Sequence, residues 1–129
     1  MEHLANSGPS LRVLTRSDLA DIELPPEQVI RAVEDGYLAL ESGASRCPTK
    51  MMIDLPVESR DSIAFSMLGF DAARDLVGYK TSYRKGSDNR DQYYTTITLY
   101  DDETGLPYAL MDCQKIGAVS YTHLRAHET

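Results

Sequence analysis

From residue 24 to residue 43 the apolar positions return every three or four residues. Val29, Ile30, Val33, Tyr37 and Leu40 fall on one side of a helical projection, and Arg31, Glu34 and Glu41 fall on the other, which is the period of an amphipathic helix. Pro25 and Pro26 stand in the first turn, where a missing amide is tolerated. Glu27 complements the positive end of the helix, and Gly43 supplies the stop. The spacing therefore predicts a helix over "LPPEQVIRAVEDGYLALESG", with its apolar side laid on another layer.

Around this helix the pattern changes. Upstream, "LRVLT" has the look of a short strand, and "RSDLADI" offers one helical turn with Ser17 as its cap. Downstream, "KMMIDLP", "SIAFSMLGF", "LVGYKTSYRK" and "YYTTITLY" are short and rich in β-branched and aromatic residues, and turn-like "VESRD", "DAARD" and "GSDNRD" separate them. "DDETG" joins the last of these to "LPYALMD", a five-residue link with a glycine that suits a hairpin with a bulge or a longer loop. From Asp112, which can act as a cap, "DCQKIGAV" can open a further helix. These elements predict an α+β fold in which one long helix covers a mostly antiparallel, meandering sheet. Residues 1–10, with Gly, Pro, Ser and Asn and little apolar content, read as a flexible lead-in.

Composition narrows the function. The chain has 129 residues, 42% hydrophobic and 26% charged, enough for one domain with a core of its own. A net charge of −7 argues against nucleic acid, which is gripped by clustered Lys and Arg, and against an anionic membrane. No apolar run is long enough for a membrane span, and "MEHLANSGPS" lacks the regions of a secretory signal. A cytoplasmic location is expected, with Cys47 and Cys113 as reduced thiols, because they have no CxxC spacing. The glycines at 69, 78, 86, 105 and 117 form neither GxGxxG nor a P-loop, so no dinucleotide or phosphate cradle is encoded here.

Lys80 is the first candidate for chemistry. On a strand, Tyr79, Thr81 and Tyr83 share one face while Lys80 and Ser82 share the other. A lysine there is either a solvated residue that discourages edge association or a cation for a substrate carboxylate. Lys50, at the head of "MMIDLP", has the same two readings, and Arg46 is near it in sequence. Two or three cations converging on a cleft suit an amino acid or keto acid. Met51, Met52 and Met67 are either core filler or pocket lining. The carboxylates of "DDET" and "ESRD" read as solvated turns, with no poised acid–base pair, and no Ser/His/Asp or Cys/His arrangement can be drawn. A helix over the end of the chain would put His123 and His127 on one face beside Glu128, two ligands of a zinc site with no third in prospect. No metal is expected.

The stretch "LTRSDLADIELPPEQVIRAVEDGYLALESGASRCPTKMMIDLP", with "LVGYKTSYRKG" and "LYDDETGLPYALMDCQKIGAV", resembles the N-terminal part of the ornithine cyclodeaminase and mu-crystallin family over about residues 11–119. The resemblance implies an NAD(P)-dependent enzyme of amino and imino acids, of cyclodeaminase, amino acid dehydrogenase or imino acid reductase type. It also implies a homodimer, a small amino, imino or keto acid as substrate, and NAD or NADP held by a Rossmann domain beyond these residues. Mu-crystallin, a binding protein for thyroid hormone, offers the alternative of a non-catalytic ligand-binding or dimerisation module.

By the same resemblance, Lys80 matches the family lysine that meets the substrate carboxylate, and Met67 falls near a pocket-lining methionine. Lys50 stands where relatives have an arginine, and a lysine there lacks the bidentate fork. Gln92 stands where many members have a threonine near the nicotinamide. No catalytic residue is expected within the chain, and the chain by itself is expected to be inactive. At Ser120 the sequence leaves the family pattern of Arg-Thr and a small-residue helix. Residues 120–129, "SYTHLRAHET", resemble translated sequencing-adapter sequence and are expected to be foreign to the gene.

Overall fold

The computed structural model describes residues 11–86, 93–114 and 116. The described residues form a six-stranded sheet with two helices. Strand β1 (Arg12–Leu14) leads into the four-residue helix α1 (Arg16–Leu19) and the seventeen-residue helix α2 (Pro26–Ser42). There follow β2 (Met51–Asp54), β3 (Ile63–Asp71), β4 (Leu76–Arg84), β5 (Tyr93–Asp101) and β6 (Pro107–Asp112). Every strand expected from the alternation is present. The sheet order is β1-β6-β5-β4-β3-β2, so β2 to β6 form an antiparallel meander and β1 closes it in parallel beside β6.

Helix α1 is capped by Thr15, in place of the expected Ser17. The Thr15 hydroxyl accepts from the Asp18 amide at 3.2 Å, and the Asp18 carboxylate accepts from the Thr15 amide at 2.8 Å. This reciprocal box needs an acid three residues after the cap. Thr15 has one in Asp18, whereas Ser17 lies inside the turn with its carbonyl bonded to the Ala20 amide. The two Thr15 donors favour the charged form of Asp18 and hold its pKa below the usual 3.8, the backbone amide first and the hydroxyl second. A group depressed in the folded state stabilises above its unfolded pKa and loses that contribution as pH falls through the folded value. The Asp18 carboxyl is therefore expected to titrate below 3.8 by NMR, and Thr15→Val to move its midpoint toward 3.8.

Helix α2 begins and ends as its sequence requires. The Pro25 carbonyl accepts from the Gln28 and Val29 amides, and Gly43 closes the helix in the left-handed region at φ 82°, which costs glycine little. Its packing departs from expectation. Val29, Ile30, Val33, Gly36 and Ala39 are half-buried, but Tyr37 is 66% exposed and Leu40 is exposed as well. No residue of the helix is fully buried, so it does not cover the sheet as a full layer. The half-buried stripe is rotated from Tyr37 and Leu40 toward Gly36 and Ala39.

The segment after α2 is fastened to the sheet. The buried Ser45 accepts from the Ala72 amide through its hydroxyl at 3.0 Å, and Arg46 exchanges two backbone hydrogen bonds with Phe70. At the other end of the sheet the β5–β6 link turns through Gly105 at φ 75°, with a register shift between Leu99 and Tyr100. This is the bulged hairpin expected from "DDETG". The Asp112 carboxylate accepts from the Gln114 amide at 2.8 Å, and the helix expected from "DCQKIGAV" lies mostly outside the described residues.

The buried apolar set is small. Among the described residues Leu19, Ala109 and Cys113 are the buried hydrophobics, with Ala109 at 2% exposure. Met51 and Met52, expected as core filler or pocket lining, are both exposed on the edge strand β2, Met51 at 74%. A single sheet has two faces, and one helix cannot shield both from water.

Candidate functional site

Strand register sorts the candidate residues by face. Met67, Lys80, Ile97, Met111 and Leu14 form one row across β3, β4, β5, β6 and β1. Lys80 is thus the direct cross-strand partner of Met67 and has apolar neighbours on both sides. The next row on the same face is Met52, Phe65, Ser82 and Thr95. The ammonium of Lys50 lies over the Phe65 ring, 5.5 Å from its centroid, a cation–π contact. Rows on one face of a strand are about 7 Å apart. The structure therefore brings Lys80, Met67 and Lys50 to one face of the sheet.

Lys80 is half-buried, and no carboxylate lies within ion-pair distance of it among the described residues. An ammonium flanked by Met67 and Ile97 is solvated by water or met by an anionic ligand. Below it, the hydroxyls of Ser82 and Thr95 are buried and bonded to each other at 2.7 Å. This pair fixes β4 against β5 under the site. Ser82→Ala strands the Thr95 hydroxyl, and the melting temperature is expected to fall by an amount equivalent to about 1–3 kcal/mol. The double variant Ser82→Ala/Thr95→Val removes both polar groups and is expected to recover part of that loss.

The third row of the face holds Gly69, Gly78, Leu99 and Ala109. A Cβ on Gly69 would sit 3.7 Å from the Arg46 carbonyl oxygen, so this row lies against the segment that follows α2. A slot of about 280 Å³ lies between Gly36, Leu40, Arg46, Cys47, Gly78 and Leu99. A Cβ on Gly78 would sit 3.5 Å from Leu99 Cδ2, an ordinary contact, so the slot and not a clash is what this glycine provides. Arg46 lines that slot on the helix side of the Lys80 row, away from Lys50.

The opposite face carries Tyr79, Tyr83, Tyr94, Tyr100, Leu68 and Val13, all exposed. Tyr79 and Tyr100 meet edge to face at 5.7 Å, Thr81 and Thr96 are hydrogen-bonded, and Arg16 pairs with Asp112 at 3.4 Å beside the Tyr94 ring. A second concavity of about 370 Å³ lies at the β2 edge, lined by Met51, Ile53 and Thr81 of this face and by Met52, Phe65 and Ser82 of the Lys80 face. Lys80 and Met67 line neither of these two cavities, and every residue of their row is half-buried.

Gln92 lies outside the described residues, as do His123, His127 and residues 120–129. Among the described residues there is no group of three or more His, Cys, Asp or Glu placed to hold a metal ion, and no helix is long and apolar enough to cross a membrane. Cys47 is exposed and Cys113 buried, and both are free thiols. Arg84 was not singled out from the sequence. It follows Lys80 by four positions, and the strand alternation that put Ser82 beside Lys80 also puts Arg84 on that face.

No family model and no curated protein matches the sequence. Solved structures do match in fold. The Δ1-pyrroline-2-carboxylate reductase of Thermococcus litoralis, solved with NADH and L-proline, aligns with a TM-score of 0.72 at 26% identity over 84% of this chain. An archaeal alanine dehydrogenase dimer with bound NAD aligns at 0.74 and 16% identity over 88%. A probable ornithine cyclodeaminase of Bordetella pertussis Tohama I aligns at 0.69 and 12% identity over 85%. The fold is that of the ornithine cyclodeaminase and mu-crystallin family. The chain spans about a third of the length of these structures, 34%, 34% and 32% respectively. Within that third, the family fold accounts for the mostly antiparallel six-stranded sheet.

Proposed function

We propose that residues 11–119 are the substrate-holding and dimerising part of an NAD(P)-dependent enzyme of small amino or imino acids. The observation that carries this reading is the unopposed ammonium of Lys80, in register with Met67 and one row from Lys50 over Phe65. Its chemistry is that of a carboxylate grip: Lys80 attracts the anion as a point charge, Lys50 adds a second charge, and Met67 packs against the ligand's carbon skeleton. The neighbours that bind NADH with L-proline, or NAD, support the substrate class and the cofactor.

The dinucleotide does not fit these residues alone. The sequence has no GxGxxG to bring backbone amides to a pyrophosphate, so the cofactor is assigned to a part of the protein other than residues 11–119. When bound it would supply hydride chemistry. The role of this chain is to hold the carboxylate, orient the α-carbon and wall one side of the site. A second body laid over the half-buried Lys80 row would exclude water and strengthen each charge contact. Residues 1–10 are assigned as a lead-in, and residues 120–129 as sequence foreign to the gene.

Titration of the 129-residue chain with L-alanine or L-proline tests the reading. Amide shifts are expected at Phe65, Met67, Lys80 and Ile97, with no turnover when NAD is added. Shifts confined to the opposite face, or turnover by the chain itself, would refute it.

A further inference from the structure

Arg84 is the cation of this face that the reading above leaves without a task. It lies in the row Asp54, Ile63, Arg84 and Tyr93, two rows from Lys80. The residue is half-buried, and its Nε is fully buried with no hydrogen-bond partner among the described residues. Asp54, exposed two strands away in the same row, comes no closer than ion-pair distance, and neither does any other described carboxylate. A guanidinium cannot shed its proton to escape this position, since it stays charged throughout the accessible pH range. A buried donor without a partner among the described residues is open to an acceptor from outside them.

The three cations are aligned. Lys80 and Arg84 stand four residues apart on β4, roughly 13 Å between Cα atoms. The Lys50 ammonium lies over Phe65, in the row between them. The carboxylates of the strands that share the face, Asp54, Asp71 and Asp101, lie in its outer rows, and none pairs with these cations.

We infer that this face takes a small dicarboxylic amino or imino acid, with Lys80 on the carboxylate next to the nitrogen and Arg84 on the second carboxylate. The inference rests on the carboxylate-holding role of Lys80 and adds the substrate's second charge. Arginine suits the distal position because a small swing of its planar fork presents Nε–H and a terminal N–H side by side to one carboxylate. That geometry satisfies the orphan donor. A lysine at residue 84 would supply charge without the fork.

The test compares L-alanine, L-aspartate and L-glutamate as ligands of the 129-residue chain by NMR titration, in the parent, Arg84→Gln, Arg84→Lys and Lys80→Ala proteins. The parent is expected to bind one of the two diacids about tenfold more tightly than L-alanine, the usual scale for a charge-assisted pair. Arg84→Gln should bring the diacid to the level of L-alanine and leave L-alanine unchanged, with Arg84→Lys intermediate. Equal affinity for L-alanine and both diacids in the parent overturns the inference, as does a diacid preference that survives Arg84→Gln. L-alanine binding that depends on Lys80 without any diacid preference overturns the Arg84 assignment alone. Failure of all three acids to bind overturns the Lys80 reading with it. Should Arg84→Gln lower the melting temperature below the titration temperature, Arg84→Lys carries the comparison, and an undiminished diacid preference there counts against the fork.

Discussion

Lys80→Ala is expected to weaken binding of a small amino or imino acid by about one to two powers of ten, while the protein stays folded. The size follows from the loss of a charge-assisted hydrogen bond, about 1.5–3 kcal/mol. The fold should survive because Lys80 is half-buried and has no carboxylate partner among the described residues, so no internal ion pair is broken. Met67, Ile97 and Met111 would close partly over the vacated space. Lys80→Gln keeps the length and a donor but no charge, and should fall between the parent and the alanine variant. Unchanged affinity in Lys80→Ala would return this lysine to the role of a solvated strand residue.

Tyr79→Lys is expected to split the dimer proposed for this chain into monomers, weakening self-association by at least a hundredfold. Tyr79 is 41% exposed on the central strand β4, on the face opposite Lys80, and has Leu68 and Thr98 as cross-strand neighbours. Four exposed tyrosines, Leu68 and Val13 give this face the apolar character of an interaction surface. An ammonium buried at its centre without a partner costs several kcal/mol. Sedimentation velocity reads the result directly. Glu34→Lys, on the outer side of α2, is the matched control and should leave the mass unchanged. A Tyr79→Lys protein that sediments like the parent would remove this face from the dimer interface.

Strand periodicity carried most of the fold. "LVGYKTSYRK" alternates cleanly, so the opposition of Lys80 to Tyr79 and Tyr83 could be read before any coordinates, and the same period held Arg84. The helix face was less legible. Tyr37 and Leu40 satisfy the helical period but lie exposed, whereas Gly36 and Ala39, which carry little hydrophobic signal, are half-buried. The cap of α1 was misplaced by two residues, since Thr15 and Ser17 both qualify locally and only the Asp18 carboxylate decides between them. Convergence of Lys50 on the Lys80 face could not be read at all. It depends on β2 pairing with β3 so that Met52 meets Phe65, a register that no local pattern encodes.

The sheet order has a consequence for how this protein can go wrong. Its two rims are its shortest strands, β1 with three residues and β2 with four, and the length of β3 beyond β2 is partly closed by the Arg46–Phe70 bridge. Little unpaired backbone is left to template another chain. The exposed tyrosines, by contrast, lie on a broad surface that one partner can cover completely. Crowding or mild destabilisation should therefore drive this molecule into saturable, face-on pairs before open-ended fibrils.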